Sequence, residues 1–176
     1  MKRLFLTVNF IILGAICLAN AQPRAIGGRL GPNVELSFQQ SISDNMLQVD
    51  IGVAYFQGIQ SNITYNWASS TIGNNAGGTW TSYAGFGIGG GYSWRDNSWY
   101  SSNRGSNRYL YKYVTFGVVG MIGIEYAFSS IPLALSLDYR PLIGADFGTR
   151  QSSHKFGIQY HLPGLWSCGL SARYIF

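Results

Sequence analysis

Charge, cysteine and histidine are all scarce in this chain. Only 11% of its 176 residues are Asp, Glu, Lys or Arg, and it has two cysteines and two histidines. Beyond residue 21 only Cys168 remains, so no intrachain disulfide can form and a disulfide-stapled scaffold is excluded. His154 and His161 have no paired carboxylates at ligand spacing, so no metal and no cofactor is expected. No run of 18 apolar residues follows Gln22, which excludes a helical membrane span there. The charge left after Lys2 and Arg3 is ten basic against seven acidic residues, a net of +3, and no nucleic-acid partner is expected. What the chain does have is 23 Gly, 12 Tyr, 10 Phe and five Trp. That composition suits many strands and turns with aromatics at an interface.

The start of the chain reads as a targeting segment. Lys2 and Arg3 precede a mostly apolar run over residues 4–18, and Ala19-Asn20-Ala21 is a small-x-small cleavage site. Residues 1–21 are therefore expected to be a cleaved secretory signal peptide, leaving 22–176 as one domain. Lipidation at Cys17 is not expected, because Ile16 stands where a small residue is needed.

The last twelve residues show the organising pattern most clearly. Phe176, Tyr174, Ala172, Leu170, Cys168 and Trp166 share one phase of period two, and Ile175, Arg173, Ser171, Gly169 and Ser167 share the other. One face is apolar with aromatics at both ends, and the other is small and polar around one arginine. Period two means a strand, and this length matches a tilted strand crossing a bilayer. The same alternation recurs upstream. Candidate strands lie at 25–30, 34–41, 47–56, 62–69, 79–94, 112–128 and from 133 onward, with the closing strand at the end. Apolar residues such as Leu36, Ile51, Phe86, Phe116 and Leu137 take one phase. Gly-Pro-Asn at 31–33, Ser-Asp-Asn at 43–45 and the glycine- and asparagine-rich stretch 73–78 separate strands as turns. Two long segments, 95–111 and about 145–164, are expected to be loops. The fold expected is all-β: an eight-stranded antiparallel up-and-down transmembrane β-barrel, since an open sheet edge cannot persist in lipid.

The phases also assign the interior. Arg29, Arg140 and Arg173 are expected inside with Glu35, Asp50, Glu125 and Asp138, three positive charges against four negative. An eight-stranded barrel is only wide enough for side chains to fill. Buried charges there must pair, so a plugged lumen is expected rather than a pore. The glycines at 85, 87, 89 and 91 share the inward phase, where long side chains need room; no Gly-Lys-Ser/Thr or helical pattern follows to make them a nucleotide loop.

The chain resembles the small eight-stranded outer-membrane barrels of the OmpX and OmpA-membrane-domain kind. The resemblance rests on Gly123-Ile124-Glu125-Tyr126, Leu135-Ser136-Leu137-Asp138-Tyr139-Arg140-Pro141 and Ser171-Ala172-Arg173-Tyr174-Ile175-Phe176. It implies an integral protein of the cell outer membrane, in contact with outer-membrane lipid and lipopolysaccharide. It also implies that Leu170, Tyr174 and Phe176 form the assembly signal read by the barrel-assembly machinery. The role implied is structural or surface interaction, in adhesion or envelope integrity, with an extracellular ligand left open and no catalysis expected. Arg95, Arg104, Arg108 and Lys112 form an external basic loop that could pair with lipopolysaccharide phosphates. The aromatics Trp94, Trp99, Tyr100, Tyr109, Tyr111 and Tyr113 around that loop read mainly as an external girdle.

Three other readings stand beside this one. A hydrolytic or lipid-modifying enzyme would use His154 with Ser152, Ser153 or Asp146 in the last external segment. A small porin would need a hydrated lumen. A secreted β-sandwich would bury the face carrying Val114, Phe116, Val118, Leu133, Leu135 and Leu137 as a protein core.

Overall fold

In the computed structural model, the described residues are 24–54, 58–67, 70–94, 110–150, 156–161 and 167–176. They form eleven strand segments: β1 (Arg24–Leu30), β2 (Asn33–Ile42), β3 (Asn45–Ala54), β4 (Gly58–Asn66), β5 (Ser70–Asn75), β6 (Gly78–Ser93), β7 (Leu110–Phe128), β8 (Leu133–Tyr139), β9 (Leu142–Arg150), β10 (Phe156–His161) and β11 (Cys168–Ile175). These make eight barrel strands. β4 and β5 both pair with β6 and are two halves of the fourth. β8 and β9 both pair with β7 and are halves of the seventh, while β10 and β11 continue one another as the eighth. Antiparallel pairing of β1 with β11 closes an up-and-down barrel of eight strands.

Turn chemistry explains two of the reversals. Ile42 pairs with Asn45 across the two-residue turn Ser43-Asp44, and Ser43 takes the positive φ of 55° that such tight hairpins require. Asn75 pairs with Gly78, and its Oδ1 accepts from the amides of Gly77 (3.1 Å) and Gly78 (2.9 Å). The turn expected over 73–78 therefore shrinks to Ala76-Gly77, because Gly73, Asn74 and Asn75 pair with Trp80, Thr79 and Gly78. At the same end, Arg24 and Phe176 exchange backbone hydrogen bonds of 3.2 and 2.8 Å.

The seventh and eighth strands are longer than expected. A loop was expected over about 145–164, yet β9 and β10 pair from Gly144↔His161 to Thr149↔Phe156. Pro141 does not end the seventh strand. It has no amide to give, but its carbonyl accepts from Gly120 N at 2.9 Å, and Arg140 N donates to Ser167 O at 3.0 Å. The inward phase therefore runs unbroken from Ala134 through Arg140 and Leu142 to Asp146.

Register fixes the stagger of the barrel. Leu30 leads through Val34, Val53, Ile59, Tyr92 and Val114 to Phe147 in one direction, and through Leu170 to Leu137 in the other. Both paths end on the seventh strand, ten residues apart. Ten residues at ~3.3 Å, set against eight strands at ~4.8 Å spacing, give a strand tilt of about 40°.

The outside of this barrel is apolar and the inside polar. Among the described residues thirty-three large hydrophobic side chains are exposed, and seven hydrophobic residues are buried beside eighteen polar or charged ones. Apolar residues such as Leu36, Ile51, Ile63, Phe86, Val118 and Leu137 girdle the wall. Aromatics cluster at its two ends. At the end holding the termini, Trp80 packs on Tyr126 at 4.7 Å, Tyr126 on Phe128 at 4.8 Å, and Tyr174 lies 6.5 Å from Phe176. At the other end Tyr92, Trp94, Phe156 and Tyr160 are exposed.

Candidate functional site

All seven charges assigned to the interior face the lumen. Arg29 (2% exposed), Asp50 and Arg173 (both 0%) are among its most buried side chains. They sort into an upper and a lower group joined by neutral polar side chains.

The upper group holds Arg29, Arg140, Glu35, Asp50 and Asp138. Arg29 on the first strand reaches the seventh, donating from Nε to Asp138 Oδ1 at 2.9 Å and from Nη2 at 2.6 Å. Its Nη2 also donates to the carbonyl of Ser167 at 3.2 Å, and Nη1 lies 3.5 Å from Glu35 Oε2. To make this reach, Arg29 crosses over the eighth strand at Gly169. A Cβ there would lie 2.4 Å from the guanidinium carbon and 2.5 Å from Nη2. Glycine at 169 is thus the gap through which the first strand is tied to the seventh.

Arg140 ties opposite walls. Its two terminal nitrogens donate to Asp50 Oδ2 on the third strand and to Glu35 Oε2 on the second. The third and seventh strands are four apart in a ring of eight, so the Arg140–Asp50 pair crosses the lumen along a diameter. Each carboxylate has further donors: Gln48 Nε2 to Asp50 at 2.9 and 3.1 Å, and Asn33 Nδ2 to Glu35 Oε1 at 3.2 Å. Gln39 Nε2 donates in turn to Gln48 Oε1 (3.1 Å), and Asn33 Nδ2 to Gln60 Oε1 (2.8 Å).

The lower group centres on Arg173. Its guanidinium donates to Ser37 Oγ at 3.0 Å, Ser136 Oγ at 2.8 Å, Ser171 Oγ at 3.2 Å and Glu125 Oε2 at 3.2 Å. Three serines and one carboxylate from four different strands thus satisfy one fully buried arginine. Across both groups the guanidiniums act as forked donors to several walls at once, a geometry a lysine cannot supply.

Asp146 was assigned to a rim loop beside His154, and its location is different. It is buried on β9, facing inward, and accepts from Thr115 Oγ1 at 2.6 Å. Among the described residues the interior count becomes three arginines against five carboxylates. Asp146 was missed because Arg140-Pro141 reads as a strand end. Tyr113, expected in the outer girdle, is likewise buried inside. Above the upper ion group the lumen is filled by Val119 and Leu142. A Cβ on Gly89 would lie 2.7 Å from a methyl of each, so the inward glycine makes room for them.

The remaining expected residues lie elsewhere. Leu170, Tyr174 and Phe176 are all exposed on the outer face of the closing strand. Lys112, expected at the start of the sixth strand and the end of the basic loop, lies within β7, which begins at Leu110; it is exposed and takes a positive φ of 55° at a bulge between Tyr111 and Tyr113. Arg95, Arg104, Arg108, Trp99, Tyr100, Tyr109, Ser152, Ser153, His154 and the expected signal peptide at 1–21 lie outside the described residues. Among the described residues no three metal-ligating side chains come together. The chain matches no family model, no curated protein and no solved structure.

Proposed function

We propose that the protein is an integral outer-membrane barrel with a side-chain-filled lumen and a structural or surface-interaction role, in adhesion or envelope integrity. The observation that carries this reading is the inverted distribution of side chains. A soluble barrel hides its apolar residues, whereas here they form a belt around the outside and arginine–carboxylate pairs fill the core. Exposed apolar patches on soluble monomers are far smaller than a belt of thirty-three large side chains. The belt also has the right height. Trp80 and Tyr92 on β6 are twelve residues apart, about 30 Å along the axis at a 40° tilt, which matches the hydrocarbon layer between two interfaces.

Within this reading the resemblance to OmpX-like and OmpA-like barrels supplies the compartment, and residues 1–21 supply the export signal. Leu170, Tyr174 and Phe176 face lipid and carry the assembly signal. Arg–carboxylate pairs crossing the lumen favour a plug over a small porin. The test is extraction. The protein should resist salt and urea, leave the membrane only with detergent, and migrate differently on gels when unboiled. Release by urea alone would sink the reading and favour a secreted β domain.

A further inference from the structure

The wall of this barrel is low on one side. From Arg24 to the β1–β2 turn at Gly31-Pro32 the first strand climbs eight residues, about 20 Å along the axis at a 40° tilt. On the opposite side β6 spans sixteen residues, about 38 Å. The hydrocarbon layer is about 30 Å thick, so the first side falls short of it by about 10 Å.

The outer face of the short side is apolar to its tip. Leu30 (63% exposed), Val34 and Leu36 (62%) point outward, and only Gly31 and Pro32 lie beyond them. Among the described residues, no aromatic lies on β1 or β2 between Leu36 and the turn. On the opposite wall, by contrast, the outward row Phe86, Ile88 ends in exposed Tyr92 and Trp94. The two sides can be compared at one height. The register line Leu30, Val34, Val53, Ile59, Tyr92 crosses four strand spacings and climbs about 12 Å, and Ile88 lies four residues below Tyr92, about 10 Å. Leu30 and Ile88 therefore stand on opposite walls within about 2 Å of the same level.

We propose that the β1–β2 hairpin is a notch that thins the surrounding bilayer and draws lipid headgroups down to its tip. The inference rests on the membrane reading above. A flat bilayer would submerge the hairpin, leaving turn carbonyls at Gly31-Pro32 in hydrocarbon, and would set acyl chains level with the buried Asn33 that caps Glu35 on this side. Unsolvated backbone groups are costly in lipid, whereas each ångström of bilayer thinning costs little. The partner that fits this surface is a locally thin or short-chain lipid region, with its phosphates level with Pro32.

Spin-label depth measurement tests the proposal on the whole barrel in phospholipid bilayers. Cys168→Ser removes the exposed thiol, and Leu30→Cys or Ile88→Cys then carries the label. The ratio of oxygen to nickel-chelate collisions should place the label at 30 at least about 5 Å nearer the aqueous interface than the label at 88, half the shortfall in wall height. Equal depths would overturn the proposal. Two labels that both collide freely with the nickel chelate would instead overturn the membrane reading beneath it. Adding four strand residues to each arm, before Gly31 and after Pro32, raises the tip by about 10 Å and should abolish the depth difference. A difference that survives the extension would also refute the notch.

Discussion

Replacing Arg140 with alanine should destabilise the barrel more than any other single truncation in the lumen. The guanidinium carries two ion pairs, to Asp50 across the diameter and to Glu35 on the second strand. Both carboxylates are fully buried, so removing the arginine leaves two charges to be held by weaker partners. Glu35 would keep Asn33 at 3.2 Å and a longer contact with Arg29 at 3.5 Å; Asp50 would keep Gln48. Removing one partner of a buried pair costs about 3–5 kcal/mol. The residual hydrogen bonds place a single orphaned carboxylate at the lower end of that range. Two orphaned together place Arg140→Ala at its upper end, about 5 kcal/mol. The assay is the urea midpoint for loss of the unboiled gel form in detergent, converted with the measured slope. Arg140→Lys should recover only part of the loss, because one ammonium cannot fork between two strands. An Arg140→Ala barrel as resistant as the parent would refute the reasoning and mean that water already screens these charges.

Other outcomes follow from the same geometry. Gly169→Val should push Arg29 off Asp138 and cost about 1–3 kcal/mol by overpacking, measured by the same urea midpoint, while Cys168→Ser on the outer face should be near neutral. Deleting Phe176 should sharply lower the heat-modifiable protein in the outer membrane, scored by fractionation, without blocking export; normal levels would show that the exposed end of β11 is not the assembly signal. Replacing Arg104 and Arg108 with Gln should reduce lipopolysaccharide copurification in low salt, and an unchanged ratio would mean that those arginines are merely solvated.

The strands and their faces were legible in the sequence because the outside and the lumen of the barrel impose opposite demands on successive residues. Period two in Leu133, Leu135 and Leu137 against Ser136, Asp138 and Arg140 could be read directly; six of the seven charges it put inside are buried, and Glu125 is half-buried against Arg173. What could not be read was which charge meets which. Phase separates inside from outside, but level depends on the ten-residue stagger, which appears only once every strand is in register. Arg140 meets Asp50 ninety residues away for that reason. Pro141 masks the continuation of the seventh strand in the sequence, and with it the inward place of Asp146; Tyr113 lies on the sixth strand beside an aromatic-rich stretch that reads as an outer girdle. A proline can lie within a strand when neighbouring amides use its carbonyl, as Gly120 does. The alternation of Phe156, Ile158 and Tyr160 was present but brief, and β10 became visible only through its pairing with β9.

Conductance in a planar bilayer tests the central claim most directly, because a lumen plugged as proposed by Arg29–Asp138, Arg140–Asp50 and Arg173–Glu125 would leave no continuous water column. Inserted wild-type protein, with insertion confirmed by its heat-modifiable form on recovery, should carry no steady ion-selective current. Large, stable single-channel currents from the wild type would contradict the account and make the protein a small porin.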